Sequence, residues 1–567
     1  MRVSSVNLQF FVDKSSKCSW LPLQSCPKLA LSTDSPETFS RLRRWLETCR
    51  TEHGSCGAGS YSALPTRVVD LGEGADEKDD VRLCEGDQVA QYAAVSHCWG
   101  SRIPITTTTA NLDAHKQNIS FSDLPKTFQD VVAICRRLQI RYLWIDSLCI
   151  IQDDEEDWQI ESSRMASIYE GSTLTIAASA AQDSSEGCFM SVPTGRTTHT
   201  LTWPGSSTTP AYSVYVRRAY PHAQFWDEYK ETQREAPLLD RAWFYQERFL
   251  SPRVVHFSKC ELWWECQQIS TCECKDSIPS MAPPDHIPME VRNRNQLKAH
   301  DGQLSASPED ENSISDPWQL GVRAYSKLAL TFPRDVFPAL SGLATRVQES
   351  KPGLTYYAGL WLSVETNKLS DLVWINDGYP KARPRRWRAP SWSWASVSEI
   401  LPRWMYLNPD HIYAKLVEVK LKPFGVDGKG ELRDAYITVS GPVIRGVIGA
   451  PTVQVTDRQN VLHPRGAEVW IRGEPNPRSG LRPLVRLDLN PKLCKPPIVS
   501  GEAVYCLRLG RGGFDQDAKS EERDISLCLR VVDMENGQPV FERIGLVAHD
   551  YVLEDPTRQR QFNMKIV

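Results

Sequence analysis

"LPKTFQDVVAICRRLQIRYLWIDSLCII", residues 124–151, decides the fold class of this chain. Its first part spaces apolar side chains three and four positions apart, at Phe128, Val131, Val132, Cys135 and Leu138. That spacing predicts a helix with one buried face over 124–140. Its second part, 141–151, is an apolar run in which Asp146 is the one acid. Such a run is typical of a strand buried on both faces, as in a parallel sheet.

The same alternation of strands and helices continues on both sides of this stretch. Further strands are predicted at 66–72, 91–100, 173–181 and 253–257, and further helices at 35–53, 153–172 and 240–250. Strands that alternate with helices predict an α/β fold with a parallel sheet and flanking helices.

Composition shifts along the chain predict five parts. We expect an N-terminal segment (1–40), an α/β domain (41–270) with an insertion at about 183–236, a linker (271–315), a helical region (316–410) and a β-rich C-terminal domain (411–567). The linker follows from its Pro, Ser and acidic residues, and the last domain from short alternating runs between Gly and Pro turns.

Bulk properties narrow the classes of partner. A net charge of -4 and a pI near 6.3 argue against nucleic-acid binding, and the basic run at 381–390 is interpreted as a solvated loop. The sequence contains no apolar run of about 18 residues, so we expect no membrane span. Sixteen scattered cysteines, with a start that lacks signal-peptide features, predict a reducing, cytoplasmic location.

Cysteines could suggest a metal site. Cys49, His53 and Cys56 form one set, and a second set contains Cys260, Cys266, Cys272 and Cys274. Neither set has the paired C-x-x-C spacing that is typical of zinc sites. Buried reduced thiols are the commoner state, so the sequence favours no metal and no cofactor.

Two further residues are candidates because of their positions on predicted strands. His97 lies near the carboxyl end of the predicted strand 91–100, and ligands of parallel α/β sheets bind beyond the carboxyl ends of strands. The neighbouring thiol of Cys98 points to the opposite face, so a Cys–His nucleophile pair is not expected. Asp146 lies among apolar residues and needs a partner, which makes it either a structural acid or a site residue.

"DRAWFYQERFL", residues 240–250, places an acid among aromatic rings. Asp240 can cap this predicted helix, and Trp243 and Glu247 are four positions apart, hence on one face. Burial against an indole would raise the pKa of Glu247, whereas Arg241 or Arg248 would lower it. From these residues alone, Glu247 is either an ordinary ion-pair partner or an acid tuned for chemistry.

Several of these segments resemble one family. Residues 92–100, 143–180 and 238–257 resemble the three motif blocks of the fungal heterokaryon-incompatibility (HET) domain. The segment 49–72 is similar to the stretch that often precedes these blocks. Four short segments are similar to the tail of such proteins, namely 335–344, 356–361, 389–396 and 542–547.

This resemblance implies a fold and an activity. HET domains resemble TIR domains, which have a flavodoxin-like sheet and a catalytic Trp followed four positions later by a Glu. Trp243 and Glu247 match that spacing. Many TIR enzymes cleave the nicotinamide–ribose bond of NAD, so the resemblance implies Glu247 as the catalytic acid and NAD as a substrate. His97, Trp99 and Asp146 are then further substrate-binding candidates.

Two positions depart from the family pattern. Ile151 replaces the usual Asn of a C-I-N-Q motif, and Phe244 replaces the usual Thr after the Trp. Both changes put an apolar side chain beside the implied site. They are either neutral or reshape the site for an apolar substrate, so both residues count as substrate-binding candidates.

Three functions compete. The first is an incompatibility effector that triggers cell death through NAD cleavage, acting as a homo-oligomer or with an incompatibility partner protein. The second is a HET-scaffold tailoring or cyclising enzyme, such as a pericyclase-type catalyst, in fungal secondary-metabolite biosynthesis. The third is a non-catalytic recognition module. The first two imply a small-molecule substrate, and family membership favours the first.

Overall fold

A computed structural model of the protein describes residues 8–13, 23, 25–57, 61–74, 76–100, 104–192, 197–204, 212–218, 236–274, 316–350, 353–378, 381–456, 462–471, 484–491, 493–513, 522–549 and 559–567. The chain divides into two compact units, Met1–Gln296 and Leu297–Val567. The predicted linker lies outside the described residues from 275 to 315, as do 193–196, 205–211 and 219–235 of the predicted insertion.

The first unit contains the predicted strand–helix alternation. Its described helices are α1 (Pro36–Glu52), α2 (Leu112–Gln117), α3 (Lys126–Arg137), α4 (Asp146–Cys149), α5 (Glu155–Gly171) and α6 (Ala242–Leu250). Its strands are β1 (Leu8–Phe11), β2 (Ser62–Ala63), β3 (Arg67–Asp70), β4 (Arg82–Glu85), β5 (Val89–Ala90), β6 (Tyr92–Ser96), β7 (Tyr142–Trp144), β8 (Leu174–Ala177), β9 (His199–Trp203), β10 (Tyr212–Arg218), β11 (Arg253–Phe257), β12 (Leu262–Cys266) and β13 (Ser270–Cys272).

The main sheet is mixed rather than wholly parallel. Eight strands pair in the order β13-β12-β11-β8-β6-β7-β3-β4, and only the central four, β11, β8, β6 and β7, run parallel. The outer strands are antiparallel to their neighbours. The turn from β11 to β12 shows why, because Ser258 Oγ donates to the carbonyl of Glu261 and the chain reverses at once. A parallel neighbour would need a long crossover connection.

The central strands are buried on both faces, as the sequence predicts. Every residue of β6, β7, β8 and β11 is buried. In the described part of the first unit, two small sheets, β1-β10-β9 and β2-β5, are separate from this main sheet. Burial on both faces is the usual state of parallel strands, because crossover helices cover each side.

The predicted strand at 141–151 is wrong beyond Trp144. The chain turns at Ile145 and forms the short helix α4 from Asp146. The carboxylate of Asp146 accepts a hydrogen bond from Ser147 N at 2.7 Å, which favours this turn over a continued strand. Asp146 therefore lies at the carboxyl end of β7 and not within a strand.

Strand order creates a switch point beside β6. The first parallel strand in the chain, β6, lies between the second, β7, and the third, β8. The chain therefore passes from β6 to β7 on one side and then crosses to β8 on the other side of β6. A crevice for ligands forms at such a point, outside the carboxyl ends of the strands. Ser96 and Ala177 end the two strands that face each other there.

Side chains cap two long helices of the first unit. Ser35 caps α1 by accepting from Thr38 N, and Asp154 caps α5 by accepting from Glu156 N and Asp157 N. The predicted cap of α6 by Asp240 is wrong, because α6 begins at Ala242 and Arg241 holds the cap position. Asp240 ends the preceding 3₁₀ turn, Pro237–Asp240. α6 packs against α5.

The second unit begins with helices and continues as β structure. Its described helices are α7 (Pro317–Tyr325) and α8 (Pro338–Ser350). Its strands are β14 (Thr355–Tyr357), β15 (Leu360–Leu362), β16 (Trp374–Asn376), β17 (Pro402–Trp404), β18 (Tyr406–Ile412), β19 (Lys415–Pro423), β20 (Leu432–Thr456), β21 (Leu462–Ile471), β22 (Leu484–Leu487), β23 (Ala503–Gly513), β24 (Arg523–Glu535), β25 (Gln538–His549) and β26 (Gln561–Ile566).

The antiparallel character predicted from residue 411 onward is confirmed. β20, β21, β22, β25, β24 and β23 pair in sequence, and β23 pairs again with β20, so that six antiparallel strands close into a ring. The one parallel pairing in this sheet joins β25 and β26. Among the described residues, none of the helices is long and apolar enough to cross a membrane.

Candidate functional site

Glu247 is a buried acid that pairs with neither neighbouring arginine. It lies on α6 with 8% of its surface exposed and forms no ion pair with a described residue. Arg248 binds Glu265 through two hydrogen bonds of 2.7 and 2.8 Å, and Arg241 donates to the carbonyl of His97 at 2.8 Å. Neither arginine thus forms an ion pair with Glu247 among the described residues, although the charge of Arg241 lowers the pKa of this acid.

Those surroundings make Glu247 a weak acid. Burial raises the pKa of Glu247 from 4.5 to about 7, while the Ser96 hydroxyl, the Arg241 cation and the Tyr169 hydroxyl act in the opposite direction and the charge of Asp146 raises it further. Desolvation penalises the charged form and is the largest effect here. Near neutral pH both protonation states are populated, which suits an acid or a base in catalysis.

Two hydroxyl groups lie beside this carboxyl group. Ser96 ends β6, and its buried hydroxyl favours the ionised form of Glu247. Tyr169 projects from α5 and donates its hydroxyl to the carbonyl of Val95 at 3.0 Å. Burial raises the pKa of Tyr169 well above its usual value, so the phenol keeps its proton. The carboxyl group of Glu247 thus meets the carboxyl end of β6.

A second group of side chains meets at the same edge of the sheet. His97 is buried, with Nδ1 3.8 Å from Asp146 Oδ1. Trp99 stacks on the imidazole at a centroid distance of 6.5 Å and donates its indole N–H to Asp146 Oδ2 at 2.8 Å. The structure thus brings together three residues that are substrate-binding candidates in the sequence.

Burial favours the neutral form of His97. Burial lowers the pKa of His97 below 6.5, although the carboxylate of Asp146 acts in the opposite direction. Phe128 packs its ring edge-to-face on the imidazole at 5.0 Å. The buried Nε2 has no hydrogen-bond partner in the described part of the chain. A buried imidazole nitrogen is thus left with unused hydrogen-bonding capacity, which is costly for a buried group.

We refer to Ser96, His97, Asp146, Tyr169 and Glu247 as the strand-end site. Its members come from β6, α4, α5 and α6 and gather where β6 and β7 end. Arg241 connects the two halves, because it binds the His97 carbonyl while its charge acts on Glu247. The arrangement offers one acid of intermediate strength, a neutral imidazole and two hydroxyl groups.

The other sequence candidates lie differently. Phe244 is 2% exposed and belongs to a core cluster with Cys98, Ala177, Leu238 and Val254. Ile151 donates its backbone N–H to Asp157, and its described contacts include neither Glu247 nor Asp146. Trp243 is half-buried one helical turn before Glu247. Trp243 therefore lies near the strand-end site because it is one helical turn from Glu247, whereas Phe244 packs in the core.

Sequence reasoning missed Ser96 and Tyr169. Ser96 directly precedes His97 and is a small residue in an apolar strand, so nothing local distinguishes it. Tyr169 stands on α5, 78 positions before Glu247 in the printed numbering, and only the packing of α5 on α6 brings them together. The sequence feature that could have selected Ser96 and Tyr169 is that both lie inside the motif blocks.

Comparison with known proteins yields one match. Residues 92–247 match the family model described as "Heterokaryon incompatibility protein (HET)". No curated protein and no solved structure matches the chain. The matched region starts at the first residue of β6 and ends on Glu247, so it contains every member of the strand-end site.

Proposed function

We propose that this chain, whose residues 92–247 form a HET domain, cleaves the nicotinamide–ribose bond of NAD at its strand-end site. A HET domain suggests a function related to heterokaryon incompatibility, and NAD loss would provide a route to cell death. One observation carries the proposal. Glu247 is buried at the carboxyl end of β6, forms no ion pair with a described residue, and has its pKa raised to about 7 by that burial.

The strand order supports a TIR-like, flavodoxin-like ancestry for this unit. Numbered along the chain, the parallel strands β6, β7, β8 and β11 stand in the order 2-1-3-4. Flavodoxin-like sheets have this order and bind their ligands at the switch point between the first and third strands. Trp243 and Glu247 also keep the four-residue spacing of the TIR motif.

The proposed reaction needs little proton transfer at the leaving group. The bond between C1′ of the ribose and the ring nitrogen breaks, and its electron pair moves onto nicotinamide, which loses its positive charge. The ribose becomes oxocarbenium-like, and the Glu247 carboxylate offsets that charge. Water then adds to C1′ and releases one proton through Glu247. NAD⁺ and water give nicotinamide, ADP-ribose and a proton.

The site also offers groups that can hold the ribose. His97 Nε2 is buried without a hydrogen-bond partner among the described residues, and both this nitrogen and the Ser96 hydroxyl can hydrogen-bond sugar hydroxyls. Trp243, half-buried one turn before Glu247, can stack on the nicotinamide ring. The cationic ring would lower the pKa of Glu247 on binding, since an opposite charge favours the carboxylate. Substrate binding would thus favour the ionised form of Glu247, which is the form that the reaction uses.

Release of nicotinamide from NAD⁺ by the purified full chain tests this function. We expect turnover by the wild type and a loss of about 100-fold or more in Glu247→Gln, because the amide cannot carry the negative charge. Glu155→Gln is the matched control, since Glu155 is an exposed acid in the first turn of α5. This control should keep the wild-type rate.

Two results would contradict the proposal. One is a folded wild-type chain that leaves NAD⁺ intact at high protein concentration, which would favour a recognition module. The other is an unchanged rate in Glu247→Gln. The alternative of a tailoring or cyclising enzyme drew on Phe244 and Ile151, and its support is weaker because Phe244 packs in the core.

A further inference from the structure

Four metal-binding side chains converge at a place that the strand-end site does not use. Cys49, His53 and Cys56 come from the last turns of α1 and the 3₁₀ turn Gly54–Cys56, and Cys266 ends β12. Their ligand atoms all lie within 4.8 Å of one another. The three thiols are buried and the imidazole is half-buried.

Local sequence supplies three of the donors and the sheet supplies the fourth. His53 follows Cys49 by four positions, so both project from the same face at the end of α1. The 3₁₀ turn then returns the chain, and Cys56 faces the same point. Cys266, which lies opposite Arg253 in the β11–β12 register, is more than 200 positions away in sequence from the other three donors. A search for paired C-x-x-C motifs cannot find such a set.

The donor types and spacing fit a tetrahedral zinc ion. Zn²⁺ binds sulfur at about 2.3 Å and histidine nitrogen at about 2.0–2.1 Å, so neighbouring donors stand about 3.5–3.8 Å apart. Cys266 Sγ lies 3.3 Å from His53 Nδ1, close to that separation. Three sulfurs with one imidazole nitrogen form one of the common structural zinc sets.

A buried arginine accounts for the charge of such a complex. Arg253 is 1% exposed, and Nε donates to Cys49 Sγ at 3.2 Å. Its other hydrogen bonds go to backbone carbonyls, namely those of Cys56, Gly57 and Thr173. In the described part of the chain this guanidinium pairs with no carboxylate. A buried cation needs a compensating charge, and three thiolates around Zn²⁺ carry a net charge of −1.

We propose that Cys49, His53, Cys56 and Cys266 bind one structural Zn²⁺ and that Arg253 neutralises the complex. Four protein donors leave no open coordination position, so the ion has a structural role and no part in catalysis. It fastens the end of α1 to the end of β12, two elements that lie far apart in sequence. Metal binding here would stabilise the edge of the mixed sheet.

Metal analysis of the full chain tests the site. The chain is produced with added zinc under reducing conditions and measured by inductively coupled plasma mass spectrometry. We expect about one zinc per chain in the wild type and under about a tenth of that in Cys56→Ser and Cys266→Ser. Cys84→Ser is the control, since Cys84 is a half-buried thiol of β4 outside the cluster. It should keep the wild-type content.

A second measurement does not depend on the folding of the variants. Wild-type chain is stripped with a chelator and refilled with Co²⁺, and its absorption is recorded. We expect thiolate-to-cobalt charge-transfer bands and the visible bands of a tetrahedral ion, together with a lower unfolding temperature in the stripped protein. A wild-type chain that holds no zinc after supplementation, or whose unfolding temperature chelators leave unchanged, would overturn the proposal.

Discussion

At Glu247, burial and hydrogen bonding act on one carboxyl group in opposite directions. Burial dominates and raises the pKa of Glu247 from 4.5 to about 7, even though Ser96, Arg241 and Tyr169 favour the carboxylate. In the unfolded chain the group ionises near 4.5. Between these two values the native state holds a proton that the unfolded state has lost, so stability falls as pH rises through the window.

The size of this effect follows from the two pKa values. The interval from 4.5 to about 7 corresponds to about 3 kcal/mol of destabilisation at pH above 7. Below 4.5 both states are protonated, and the penalty vanishes. A protein that keeps such an acid gives up stability at the site, which is a frequent feature of functional residues.

The pH dependence of activity provides a prediction at this residue. Cleavage uses the carboxylate form, so nicotinamide release should rise with pH and level off above about 7. At saturating NAD⁺ the midpoint should fall, because the cationic ring favours ionised Glu247. Initial rates over this pH range, at low and saturating substrate, provide the measurement. A rate that falls as pH rises through this range would contradict a carboxylate role.

Individual site residues were predictable when their signal was local. Trp243 and Glu247 are four positions apart, and His97 lies near the carboxyl end of a predicted strand, so position along the chain was enough for these three; Trp99 and Asp146 became substrate-binding candidates through the family resemblance. Ser96 and Tyr169 were not predictable, because their importance depends on the packing of α5 and α6 around β6. The strength of Glu247 as an acid was open for the same reason, since its pKa depends on burial.

At the scale of elements, hydrophobic pattern predicted which segments form strands and helices but not where all of them end. The apolar run at 141–151 contains both β7 and α4, and periodicity cannot separate a short strand from a short helix in such a run. Strand direction was also open. The antiparallel outer strands depend on turn lengths and on pairing between distant segments, which no local pattern contains.

The turn after β6 depends on a glycine. Gly100 has a φ of +69°, and a Cβ added there would lie 2.2 Å from Asp183 Cβ. Side chains at such a position are strained and would force the two segments apart. The turn carries Trp99, which binds Asp146, so its shape also positions the strand-end site.

Gly100→Ala should therefore destabilise the chain by about 2 kcal/mol or more. Thermal unfolding of the variant beside the wild type measures this effect as a lower unfolding temperature. Gly428→Ala is the control, because a Cβ at Gly428 meets nothing within 4 Å and its φ requires no glycine. Equal unfolding temperatures for Gly100→Ala and the wild type would show that the turn tolerates a side chain.

At the scale of the whole molecule, contacts between distant segments join parts of the chain that composition shifts would assign to separate domains. In the second unit, the buried guanidinium of Arg543 binds Asp488 at 2.8 Å and the carbonyl of Leu372 at 2.6 Å. It also stacks 3.6 Å from the ring centroid of Trp374. One residue of β25 thus joins the segment that follows the helices to the closed sheet, and sequence patterns could not show this.

The family match covers only part of one of the two compact units. The HET match covers residues 92–247 and lies within the first unit, Met1–Gln296. The function proposed here rests on residues of that unit alone, and the zinc ion proposed at its sheet edge is separate from the reaction. The stability of the whole chain is nevertheless sensitive to the strand-end site, because one buried acid affects unfolding at neutral pH.

The unfolding temperature of the wild type and of Glu247→Gln, measured as a function of pH, tests most directly whether Glu247 is a buried, unpaired acid. We expect the difference in favour of the variant to grow by several degrees from pH 4.5 to about 7 and then level off, while Glu155→Gln follows the wild type throughout. A difference that stays constant with pH, or one that turns in favour of the wild type above 7, would contradict the account.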